Sequence, residues 1–238
     1  FGYTKIVSSK NSVIAEVVDF VPNGENAEVI AVTLKNSGKK QKKLTLSSFV
    51  EWCLWNAQDD TTNFQRNFST GEVEVLGSTI YHRTEYRERR NHYAFFSVNV
   101  PIDGFDTDRE TFLGLNNGVD QPKAVLSGKP QNSVADGWSP IASHSIKVEL
   151  TPGESKSFIF VLGYIENDDN TVYTSKENNQ ITEISDNIFY SCSLKNTYHN
   201  TINGKMKYIQ NSGRFGVSEE NIENLEESCK YIANGIST

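Results

Sequence analysis

Cysteine is scarce in this sequence. Cys53, Cys192 and Cys229 are the only three in 238 residues, widely spaced and odd in number. That excludes the paired spacing of a structural zinc site and argues against a disulfide framework, pointing instead to a reducing cytoplasm. Long apolar runs are also missing: none approaches the ~20 residues that a membrane-spanning helix needs. Positive charge is in deficit, with 23 Lys+Arg against 30 Asp+Glu and a net charge of -7. A surface of that sign does not suit a nucleic-acid backbone, whose binders carry basic patches. Neutral partners such as sugars suit it better. No basic stretch followed by an apolar one opens the chain, so no signal peptide is visible. The opening residues Phe1-Gly2-Tyr3-Thr4-Lys5-Ile6 read as the middle of a strand, and the sequence is expected to be a piece of something longer.

What is present is enough for a core. Hydrophobic residues make up 37% and aromatics 11%, which rules out global disorder. Ser12 to Phe20, Glu28 to Lys35, Lys43 to Trp55, Glu72 to Glu85 and Tyr93 to Val100 are β-branched or alternating runs separated by turn residues. Gly77 reads as a bend or bulge within the fourth of these. Ile146 to Leu150 and Ser157 to Ile165 form a last pair around Thr151-Pro152-Gly153-Glu154, where Pro and Gly preset the turn. Strands at this spacing predict an all-β, antiparallel sandwich over residues 1–167. Gln58 to Gly71 and Gly104 to Ser143 read as long loops, the usual carriers of function. Residues 168–238 are polar and Asn-rich, and read as an irregular linker. It ends in a helix capped by Ser218, with Ile222, Leu225, Cys229 and Ile232 on one face.

Most catalytic patterns fail. There is no Gly-x-Ser-x-Gly elbow, and His82, His92, His144 and His199 have no local acid or nucleophile pattern, so they read as surface or half-buried imidazoles. No carboxylate–histidine spacing suits a metal, and no cofactor motif appears. Asp59-Asp60 and the group Asp103, Asp106 and Asp108 are loop carboxylates. The latter group could hold calcium, but the EF-hand pattern is absent, and solvated aspartates capping turns are the default. Arg83 to Arg90 is basic but interrupted by Glu85 and Glu88, which favours ion pairing across strands over phosphate binding. The richest stretch is Trp52 to Gly71, where Trp52 and Trp55 neighbour Asn56, Asn63, Arg66 and Asn67. Ring faces that stack on sugars, beside amides and a guanidinium that satisfy hydroxyls, form a vocabulary for carbohydrate recognition. The competing reading makes the tryptophans core residues that close a strand, with Asn63 and Asn67 serving turns.

The motifs FVPNGENAEV, SSFVEWCLWNAQDDTTNFQRNFSTGEVEV, YHRTEYRERRNHYAFFSVN, PIDGFDTDRETFLG and PGESKSFIFVLGYIEN follow in order within a match that runs from about Phe1 to Asn167. They resemble the N-terminal β-sandwich of cellobiose phosphorylases, the inverting disaccharide phosphorylases of glycoside hydrolase family 94. The resemblance implies a galactose-mutarotase-like supersandwich. It implies reversible phosphorolysis of cellobiose to glucose 1-phosphate and glucose by homodimers. The general acid and the inorganic phosphate site would lie in a helical domain that this sequence lacks. It also implies that a sandwich loop reaches over the partner subunit's active site and binds the acceptor sugar, cellobiose or glucose. Asn56, Asn63 and Arg66 match that loop, and no residue here matches the catalytic acid. A stand-alone carbohydrate-binding module is the alternative, and a mutarotase-type enzyme a third reading that would need a His/Glu pair.

Overall fold

The computed structural model describes residues 2–22, 26–52, 71–84, 92–135, 137 and 139–166. Among them are eleven strands: β1 (Tyr3–Lys10), β2 (Val13–Phe20), β3 (Ala27–Asn36), β4 (Lys42–Ser47), β5 (Val50–Glu51), β6 (Gly71–Leu76), β7 (Thr79–Thr84), β8 (His92–Val98), β9 (Gly104–Asp108), β10 (Pro140–Leu150) and β11 (Ser155–Glu166). Two single-turn helices, α1 (Arg109–Leu113) and α2 (Lys123–Ser127), lie between β9 and β10.

Tight turns set the antiparallel pairing. Asn11 and Ser12 both take positive φ, 52° and 62°, and reverse the chain so that Lys10 faces Val13. That is the backbone that two-residue hairpins prefer, because its twist matches the strands on either side. The larger sheet has the order β1-β2-β3-β11-β8-β7-β6. It therefore consists of two three-stranded meanders joined by β11, which pairs with β3 on one edge and β8 on the other. The Glu72 to Glu85 run is a hairpin rather than one bent strand. Leu76 pairs with Thr79, and Gly77, at φ 60°, opens the two-residue turn.

The smaller sheet is organised on β10. The β4 pairs, ending at Ser145↔Ser47, and the β5 pairs, ending at Ile141↔Glu51, follow one register along the same edge. The run expected as one strand from Lys43 to Trp55 is thus broken at Ser48-Phe49; β5 closes at Glu51, and residues 53–55 lie outside the described residues. Across the break, the Ser48 hydroxyl accepts from the His144 N–H at 2.9 Å, and the Ser48 N–H donates to the His144 carbonyl at 3.0 Å. A side-chain oxygen stands in for a missing backbone acceptor. β9 takes the other edge of β10.

The period of two in each strand sorts residues between the layers. Val32, Leu34, Ile80, Phe96, Val98, Phe158 and Phe160 of the larger sheet meet Ile146, Val148 and Leu150 of the smaller one, and Trp52 just past β5, in the main core. Each large side chain fully buried there stabilises the fold by ~1.5–3 kcal/mol. The alternate residues Val29, Tyr81, Tyr93, Phe95, Ile159 and Val161 form a second buried cluster on the opposite face of the larger sheet. Gly163 is required there. A Cβ on it would lie within 2.1–2.9 Å of three Phe95 ring atoms, so the phenyl ring rests on bare backbone. Asn36, fully buried, ties the two sheets at one end: its amide donates to the carbonyls of Lys40, Leu150 and Thr151 at 2.9, 3.0 and 3.2 Å.

Candidate functional site

The stretch from Trp52 to Gly71 leaves the smaller sheet after β5 and rejoins the larger sheet at the start of β6. Asn56, Asn63, Arg66, Trp55, Asp59 and Asp60 lie outside the described residues, as do His199 and the terminal-helix residues. The two ends of the stretch are described, and one side chain touches both. The His82 ring stacks on Trp52, with centroids 5.4 Å apart and planes 19° from parallel. At the other end, a Cβ on Gly71 would sit 2.4 Å from His82 Cε1 and 2.4 Å from the Arg83 carbonyl. Glycine is what lets the chain return this close to the ring. Trp52 and His82 are 7% and 2% exposed, so the tryptophan is a core residue closing a strand.

His82 sits on β7 two residues after Ile80, and strand alternation points both inward. Burial lowers its pKa to about 4, partly offset by the Glu72 carbonyl, which accepts from the ring. It is a neutral imidazole at physiological pH. His144 behaves alike: burial lowers its pKa to about 4, with the Ser78 carbonyl offsetting part of the drop. Its Nδ1 lies 3.0 Å from the Ser48 hydroxyl, and its ring tilts against Phe96 and Phe160 at 4.9 and 5.9 Å. His92 is also buried and shares a hydrogen bond with the Tyr164 hydroxyl. These imidazoles lie deeper than a surface or half-buried reading of the sequence allows. The alternation Ile80–His82 was the signal that could have placed the first of them inside.

The aspartates expected in a solvated loop divide between separate tasks. Asp106 is 1% exposed and accepts from the Gln131 N–H at 3.1 Å, and from the Ser133 N–H and hydroxyl at 3.1 and 2.8 Å. Asp108 caps α1 by accepting from the Thr111 N–H at 2.6 Å. Asp103 accepts from the Lys147 N–H at 2.6 Å. Each carboxylate serves backbone groups of a different segment, and no group of three potential metal ligands occurs among the described residues. The stretch from Gly104 to Ser143, expected as a long loop, contains β9, two single-turn helices and the start of β10, with irregular segments between them, and Asp106 ties 131 and 133 to β9. Of the basic run, Arg83 is described. It bridges to Glu72 on the adjacent strand at 2.5 Å, which is the cross-strand ion pairing expected for it.

No helix among the described residues is long and apolar enough to cross a membrane. The family model described as "Glycosyl hydrolase 94, supersandwich domain" matches residues 1–183. N,N'-diacetylchitobiose phosphorylase of Vibrio proteolyticus is 29% identical over 163 residues, which is 68% of this chain and 20% of that protein. 3-O-beta-D-glucopyranosyl-beta-D-glucuronide phosphorylase of Paenibacillus borealis is 26% identical over 168 residues, covering 68% and 21%. Among solved structures, the GalM/aldose epimerase homologue from C. elegans superposes with a TM-score of 0.43 at 8% identity, over 70% of this chain and 66% of that one. The chain spans about a fifth of the length of these two phosphorylases.

Proposed function

The chain belongs to the glycosyl hydrolase 94 family, whose supersandwich domain it carries, and on that premise we propose that it serves disaccharide phosphorolysis as the sandwich that contacts the sugar. The match to that domain is the observation that carries this reading, and relatives bearing the names of disaccharide phosphorylases support it. Inverting phosphorolysis needs one carboxylic acid to protonate the leaving oxygen while phosphate attacks the anomeric carbon. Phosphate replaces an activated water, so a second protein carboxylate is unnecessary. The described aspartates at 103, 106 and 108 all have structural duties. That supports placing the acid and the phosphate site in protein outside this chain.

Asn56, Asn63 and Arg66 are the residues we assign to the acceptor sugar, reaching across a homodimer to the active site of the partner subunit. Amides and a guanidinium there orient the departing glucose without taking part in proton transfer, and so govern selectivity more than the chemical step. Cellobiose is the disaccharide proposed, no cofactor or metal is required, and the compartment is the cytoplasm. Residues 1–167 form the sandwich domain in this reading, with 168–238 a linker and terminal helix.

Calorimetric titration of the chain with cellobiose tests the assignment. Binding should weaken about tenfold in Asn63→Ala and in Arg66→Ala, ~1.4 kcal/mol for each lost contact. Binding indifferent to both substitutions refutes the site. Formation of glucose 1-phosphate from cellobiose and phosphate by the chain alone refutes the division of labour.

A further inference from the structure

Two buried polar atoms without a hydrogen-bond partner belong to one aromatic stack: Trp52 Nε1 and His82 Nδ1. The indole N–H can only donate. The backbone of Glu72 interacts with the imidazole, and with Nδ1 unpaired we assign the ring proton to Nε2. Nδ1 is then a bare acceptor. Each ring directs its nitrogen valence within its own plane, and planes only 19° apart keep the indole N–H from aiming at the neighbouring lone pair. A buried donor and a buried acceptor, each unpaired, both cost free energy, so a group that satisfies the two at once is favoured at this position.

We propose that Trp52 and His82 together bind a single hydroxyl group, which accepts from Trp52 Nε1 and donates to His82 Nδ1, and that an internal water molecule supplies it. A carbonyl would satisfy only the indole, and an ammonium only the imidazole. A hydroxyl is the smallest group with both capacities. Water suits the depth of the stack, where the two residues are 7% and 2% exposed. Waters in such places take two to four polar partners and belong to the structure. A saccharide hydroxyl has the same chemistry and is the other possible source. The site stands on the stack alone and does not depend on the sugar-binding reading of residues 53–70.

Nuclear magnetic resonance on the whole chain tests this at pH 8, where the imidazole is neutral. The indole Hε1 resonance of Trp52 is identified by its loss in Trp52→Phe. The expected result is a cross-relaxation peak between that proton and water, with the sign of a long-lived bound molecule. Adding glucose or cellobiose should leave it unchanged, and His82→Phe should abolish it while spectral dispersion is retained. If the sugar displaces the water peak and shifts Hε1, the hydroxyl comes from saccharide. If the wild-type proton shows neither a water peak nor a sugar response, the pair binds nothing and the proposal fails, whether or not the His82 variant folds.

Discussion

His82 and His144 share depth and acid–base behaviour but differ in their surroundings. Both are essentially inaccessible, and burial takes both pKa values to about 4. His144 lies on the middle strand of the smaller sheet, with a serine hydroxyl on Nδ1 and two phenyl rings for walls. It repairs a broken strand. His82 lies near the edge of the larger sheet, stacked on a tryptophan and pressed by a glycine, at the point where an eighteen-residue excursion (53–70) departs and returns. A perturbed pKa marks both equally and so distinguishes neither. The partners do, because His144 meets a serine hydroxyl and two phenyl rings inside the core, whereas His82 joins two ends of chain.

Acid should expose what the two share. Above pH 6.5 both folded and unfolded imidazoles are neutral, and stability does not depend on them. Between pH 6.5 and about 4 the unfolded chain takes up protons that the folded one refuses, so stability falls as pH falls, and the loss levels off below pH 4. The cost is ~1.4 kcal/mol per pH unit for each histidine, roughly 3 kcal/mol apiece over the window. Urea unfolding across that range should show it, and His82→Phe or His144→Phe should each remove about half the slope. A slope untouched by either variant would mean that the rings are not held neutral.

The next effects should separate the two sites. Gly71→Ala drives a methyl group into a backbone carbonyl and the His82 ring, and should cost about 2–3 kcal/mol in unfolding free energy while leaving the His144 share of the pH slope intact. Ser48→Ala removes the acceptor for the His144 N–H and the partner of Nδ1. A loss of about 1–2 kcal/mol is expected, with the His82 share of the slope unchanged. Equal changes in both shares from either substitution would show that the sites are coupled through the core.

The sequence displayed the apolar strands well and the polar ones poorly. β2, β3, β8 and β11 are β-branched or aromatic runs bounded by turn residues, and they appear where those runs predict. β9 was hidden because it carries Asp106, a buried charge that donors from Gln131 and Ser133 make tolerable inside. The hairpin at Gly77 was hidden because one glycine is compatible with either a bulge or a turn. The pair Gly77-Ser78 between two alternating runs was the better clue. The break at Ser48 leaves no mark in the pattern, since the hydroxyl keeps the ladder going. Of the candidate site, the vocabulary of Trp52 to Gly71 was legible, but the clamp at its base was not, because His82 comes from another strand.

The strand at the centre of the larger sheet, β11, is the latest of its seven to leave the ribosome. Until residue 166 has been synthesised, β1–β2–β3 and β6–β7–β8 have no shared edge, and the Asn36 amide lacks two of its three carbonyls until residue 151 exists. Such long-range closure is slow and exposes apolar faces in the interim. A nascent chain stalled before that point holds two separate ribbons, each inviting a chaperone or a neighbour, and the larger sheet closes only with β11.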